Sequence, residues 1–117
     1  PGKSADAAAV VAAAGSNRVH VFPEDARLPD RAALIALSRI VITVNTAVVP
    51  MASAAARPVV GLYSNKRADH NERYLPRGVP QRVVYAPEGG SVSDIQPEDV
   101  IAAYDALVAD LRDAPKR

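Results

Sequence analysis

The chain has 117 residues, enough for one domain with its own core and small for an enzyme that must hold two substrates. Its 14 Lys+Arg against 13 Asp+Glu leave a formal net charge of +1, which gives no electrostatic case for a nucleic-acid partner. The absence of cysteine excludes disulfides and thiolate metal sites, and no apolar run approaches the roughly 18 residues of a membrane span. No signal-peptide pattern is present, so the expected location is cytoplasmic.

Hydrophobic residues make up 49% of the chain and aromatic ones 4%, so the core must be built from Ala, Val, Ile and Leu, as in parallel α/β sheets. In chain order, Ser4 is a candidate N-cap for a helix from Ala5 to about Ala14, with Gly15 as its stop. That helix is almost entirely Ala and Val and reads as core, with neighbours on more than one side. Val19–Phe22 reads as a short strand and Pro23–Pro29 as a loop. Asp30 caps a helix to about Ser38, whose buried side carries Leu34, Ile35 and Leu37.

The organising stretch is Ile40–Ser64. It reads as a buried strand (Ile40–Val44), a turn (Asn45–Ala47), a small-residue helix ending near Arg57, and a second buried strand (Pro58–Tyr63). Two β-branched runs joined by a helix of this length make a strand–helix–strand unit of a parallel sheet. Ser64–Pro80 is a polar loop of functional length. A last strand, Arg82–Ala86, and a Gly/Ser turn, Pro87–Asp94, lead into the clearest helix. Pro97 sits in its first turn, Glu98 and Asp99 complement its dipole, and Val100, Ile101, Tyr104, Leu107, Val108 and Leu111 keep helical spacing. The alternating order predicts an α/β fold, one domain over 1–117, with a parallel sheet flanked by helices.

In such sheets ligands bind beyond the carboxyl ends of the strands, and free N–H groups at a following helix favour an anion. This makes Asn45-Thr46-Ala47 the candidate site. Residues of these types also end strands and cap helices without binding anything.

The same stretch resembles the signature of glycosyltransferase family 9, the bacterial heptosyltransferases of lipopolysaccharide assembly. Members carry a strand followed by Asn-Asp-Thr-Gly-Pro-Met-His-Leu-Ala-Ala-Ala, a short turn, and Pro-Val-Val-Ala-Leu-Phe-Gly. Here the run is Val44-Asn45-Thr46-Ala47-Val48-Val49-Pro50-Met51-Ala52-Ser53-Ala54, then Arg57-Pro58-Val59-Val60-Gly61-Leu62-Tyr63-Ser64. Asn45 stands where the family has Asp, Ala47 where it has Gly, and Pro50 where it has His. Aligning Pro50-Met51 with the family's Pro-Met puts Ala52 at the histidine instead. The resemblance is specific in this block and loose elsewhere.

The resemblance implies a Rossmann-like fold, the C-terminal, donor-binding half of a two-domain (GT-B) glycosyltransferase. Pro1-Gly2-Lys3 then looks like the remnant of a turn that follows an upstream strand, so the chain is expected to be part of a longer protein. The implied donor is a nucleotide-diphosphate sugar, ADP-heptose-like, and the acceptor a lipopolysaccharide-type sugar at the cytoplasmic face of the inner membrane. Carried over by position, Thr46 offers its hydroxyl and N–H to the diphosphate, Ala47 its N–H, Asn45 faces the donor, and Val48 continues the turn. The base lies in the N-terminal half, a further partner, so no catalytic residue is expected here, and no cofactor or metal.

The loop after the second strand supplies Ser64, Lys66 and Arg73 as further donor contacts, with Arg67, His70 and Tyr74 nearby; Ser64-Asn65-Lys66 replaces the family's Gly-Pro-Thr. A solvated basic loop is the plainer reading. Asp69, His70 and Glu72 are a weak metal set. His20, Glu24 and Asp25 read as surface or turn residues. Two other functions fit the pattern. One is a non-catalytic Rossmann-like module that has lost its phosphate-gripping residues. The other is a sugar-nucleotide epimerase half, disfavoured because no acidic residue lies between Asn45 and Arg57.

Overall fold

A computed structural model describes residues 3–66 and 75–114. The chain divides into two compact units, Pro1–Arg31 and Ala32–Arg117. It is an α/β protein with an open, parallel, three-stranded sheet flanked by helices.

The first helix, α1, spans Lys3–Ala14 and closes with Gly15, whose φ of +62 suits a residue without Cβ. It begins one residue before Ser4, which therefore lies inside the first turn rather than at the cap. Nor is α1 core: Val10 is 62% exposed, and its alanines after Ala7 are open to solvent. The expected strand Val19–Phe22 does not form. Its backbone lies between a turn at Ser16, whose carbonyl accepts from the Val19 N–H at 3.4 Å, and a turn at Pro23. A strand exists only through its ladder, and among the described residues none pairs with this one.

Helix α2 covers Leu28–Leu37. It starts two residues before Asp30, taking Leu28 and Pro29 from the expected loop, so Asp30 stands at the third helical position rather than at the cap; its Oδ2 accepts from the Arg27 N–H at 3.1 Å. Ile35 packs into the core, whereas Leu34 and Leu37 are exposed.

The second unit carries the sheet. Strand β1 is Val41–Val44, helix α3 is Val48–Ala54, β2 is Val59–Tyr63, β3 is Gln81–Tyr85, and α4 is Pro97–Asp113, preceded by a 3-10 turn at Val92–Asp94. The strand order is β1-β2-β3, with Val41, Val59 and Gln81 in one row and Val44, Leu62 and Val84 in another. Side chains in a row share a face, and faces alternate along each strand.

One face holds Val41, Thr43, Val59, Gly61, Tyr63, Val83 and Tyr85. Ala52 of α3, fully buried, packs there against Val41 and Val59, and Ile35, Val48 and Val79 close around them. A residue as small as Ala at 52 is what lets α3 approach the strands. The other face, with Val60 and Val84, lies under α4, whose Leu107 is fully buried and whose Asp110 pairs with Arg82. Ile101 and Tyr104 of α4, though part of its helically spaced apolar set, are exposed, so its buried stripe is narrower than that spacing suggests.

Helix α3 stops at Ala54, three residues short of the Arg57 expected from sequence. The cause is a Schellman closure. The Arg57 N–H bonds back to Ala52 O at 2.9 Å and the Ala56 N–H to Ser53 O at 3.0 Å, with Ala56 at φ +57. No helix among the described residues is long and apolar enough to cross a membrane.

Candidate functional site at the carboxyl edge of the sheet

All three strands are parallel, so their carboxyl ends lie along one edge. Register places Val44, Leu62 and Val84 in the last complete row, and Tyr63 beside Tyr85 in the next. The segments that leave this edge are Asn45–Ala47 after β1, Ser64–Lys66 after β2 and Ala86–Gly90 after β3.

The turn after β1 is exposed at Thr46 and Ala47. The Thr46 hydroxyl accepts the Val48 N–H at 3.3 Å and lies 3.4 Å from the Thr43 hydroxyl, while Thr46 O accepts the Val49 N–H at 3.1 Å. Helix α3 thus satisfies its first two donors locally, and Pro50 has none to satisfy. The backbone N–H groups of Thr46 and Ala47 make no hydrogen bond among the described residues. Beside them, Asn45 Oδ1 is buried without a donor. A buried, unmatched amide oxygen costs about 1–3 kcal/mol, so its place next to two open N–H groups is the least settled polar spot of the edge.

After β2 the chain is held by Asn65, a residue with no role expected from its sequence context. Its N–H donates to Gly90 O at 2.9 Å, its carbonyl accepts from the Gly89 N–H at 3.1 Å, and its Nδ2 donates to Ala86 O at 3.0 Å. These three bonds tie the loops after β2 and β3 into one piece. Gly89 sits at φ +75, and a Cβ on Gly90 would lie 2.9 Å from Pro87 O, so both glycines are needed for the return. The signal was present in the sequence as an Asn just past a strand, opposite a Gly-Gly pair; neither residue alone points to the other.

Of the expected contacts, Asn45, Thr46, Ala47 and Val48 share the first turn, with the Val48 N–H already used. Ser64 and the exposed Lys66 flank Asn65 on the next loop. Arg73, with Arg67, Asp69, His70, Glu72 and Tyr74, lies outside the described residues.

The edge also carries an aromatic pair. Tyr63 is 5% exposed and Tyr85 53%, with ring centroids 5.8 Å apart and planes tilted by 39°. The Tyr63 ring lies back over Gly61, where a Cβ would come within 2.6 Å of Cε2. Burial, with the neighbouring Tyr85 phenol, raises the Tyr63 pKa from 10.0 to about 12.

Comparison with protein-family models, with curated proteins and with solved structures finds no match for this chain.

Proposed function

We propose that the carboxyl edge of this sheet binds the diphosphate of a nucleotide sugar, and that the chain is the donor-binding part of a glycosyltransferase of the heptosyltransferase type. The observation that carries the reading is the pair of open N–H groups on Thr46 and Ala47, at the end of a parallel strand and in the segment that resembles the family's signature. In glycosyl transfer the acceptor hydroxyl attacks the anomeric carbon and the nucleoside diphosphate leaves. Donors placed on its phosphates stabilise the charge that develops there. The N–H pair faces one phosphate, and Lys66 on the neighbouring loop supplies the cation. An ADP-sugar donor, an acceptor of lipopolysaccharide type, a separate N-terminal half bearing the base, and the cytoplasmic face of the inner membrane all belong to this reading and rest on the resemblance.

The Ala47→Pro variant tests it. Ala47 has φ −59, which proline adopts without strain, so the variant deletes one N–H and little else. Calorimetric titration with ADP should show about a tenfold loss of affinity against the parent chain, the worth of one hydrogen bond to a charged group. Equal affinity of a folded variant contradicts the site.

A second reading has its own observation in support. Val48 and Val49 donate within the turn, and Pro50 replaces the family's histidine, so less of the helix start faces outward than an anion site requires. This is the pattern of a Rossmann-like module that keeps its scaffold without the ligand. A folded parent chain that binds neither ADP nor UDP selects it.

A further inference from the structure

We infer that Tyr85 is the platform on which the base of the bound nucleotide stacks; this rests on the diphosphate site proposed above and extends it to the nucleoside. The two tyrosines at the edge differ in what they can offer. Tyr63 is wedged over Gly61 and almost wholly covered, so its ring has no open face. Tyr85 is the last residue of β3, on the same face of the sheet and half exposed, with Tyr63 against one side of it. A buried ring on the neighbouring strand thus lies against one side of an exposed ring, 5.8 Å away between centroids. The spacing fits a nucleoside diphosphate. Extending the register past Val44 puts Asn45 in the Tyr63–Tyr85 row, and two strand spacings of about 4.8 Å separate it from Tyr85, so the turn and the platform lie about 10 Å apart. A diphosphate held at Thr46 and Ala47 places its ribose over β2 and its base over Tyr85. Stacking accepts any base, because every base has a π-face. The platform therefore adds affinity for nucleotides as a class, and the choice between bases falls to other groups.

The experiment titrates the parent chain, Tyr85→Leu and Tyr85→Phe with ADP, UDP and inorganic pyrophosphate, reading affinity by calorimetry and the aromatic proton shifts by NMR. Tyr85 ring protons should move with ADP and UDP and stay in place with pyrophosphate. Tyr85→Leu should bind ADP about tenfold more weakly, as loss of one stacked base predicts, with pyrophosphate binding unchanged, and Tyr85→Phe should keep the parent affinity. If pyrophosphate and ADP bind but Tyr85→Leu binds ADP as the parent does, the platform is overturned and the diphosphate site stands. If the folded parent binds none of the three, the site and the platform fall together.

Discussion

Helices α1 and α3 are both made mostly of Ala and Val and have opposite fates. KSADAAAVVAAA is a run of Ala and Val opened by Lys, Ser and Asp, and VVPMASA is a shorter one interrupted by Pro, Met and Ser. In α3, Val49 is 1% exposed and Ala52 is fully buried; in α1, Val10 is 62% exposed. What separates them is attachment. Helix α3 is tied at both ends to adjacent parallel strands, so the short crossover leaves it no place except against their face. Helix α1 stops at Gly15 and is followed by a segment that joins no sheet among the described residues. Alanine lets a helix come close, and connectivity decides whether it does.

Enlarging one alanine in each helix breaks the comparison if it is wrong. Ala52→Leu should destabilise by about 1–3 kcal/mol, since the side chain would enter the space between Val41 and Val59. Ala9→Leu, on an exposed position, should stay within about 0.5 kcal/mol. Denaturant melts of the two variants decide it, and equal losses would mean that α1 is packed after all.

The same face can be probed from the sheet side. Gly61→Ala forces the Tyr63 ring off its seat and should cost about 1–3 kcal/mol. Its signature in the aromatic NMR spectrum is a shift of Tyr63 and, through it, Tyr85. An unchanged Tyr63 resonance would show that the ring is not held against Gly61.

At the end of α3, Ala56 occupies the left-handed conformation that favours glycine. Ala56→Gly should stabilise the protein by up to about 1 kcal/mol, visible as a raised Tm. Loss of stability instead would place the helix end elsewhere.

Tyr63 gives this packing a pH signature. Its folded pKa of about 12 lies above the unfolded 10.0, so its contribution to stability is complete below pH 10 and is lost as pH rises towards 12, where the unfolded chain releases the proton first. Tyr63→Phe should flatten this part of the stability curve, as measured by denaturant melts across the range. The smallest effect belongs to the outer surface. Arg82 and Asp110 are 45% and 48% exposed, and Asp110→Ala should change stability by less than about 1 kcal/mol, with the difference shrinking in salt.

Much of the second unit was legible because its elements agree at every level. Strands β1 and β2 are β-branched runs, α3 lies between them with small residues, and α4 opens with Pro97 and two acids. The segment Val19–Phe22 shows what such a reading lacks. Its Val-His-Val-Phe alternation suits a strand, yet a strand requires a neighbour, and a neighbour is a property of the whole chain. The end of α3 at Ala54 was hidden for a related reason, since glycine usually marks the left-handed stop and here an alanine takes it. At the site, the turn at Asn45–Ala47 was found from the strand–helix junction. That Thr46 would spend its hydroxyl on the Val48 N–H is a local choice between capping and leaving that donor open, whereas the binding of the two following loops by Asn65 and the place of Tyr63 beside Tyr85 depend on register between strands distant in sequence. No local pattern encodes the last two contacts.

The proposed function stands or falls with a diphosphate at the edge beyond β1. An amide NMR titration of the chain with ADP, UDP and their sugar conjugates tests it most directly. A bound diphosphate should give shifts concentrated at Asn45–Val49, led by Thr46 and Ala47, and at Ser64–Lys66, even at millimolar affinity. A folded chain whose amides in those segments stay in place under every one of these ligands would contradict it.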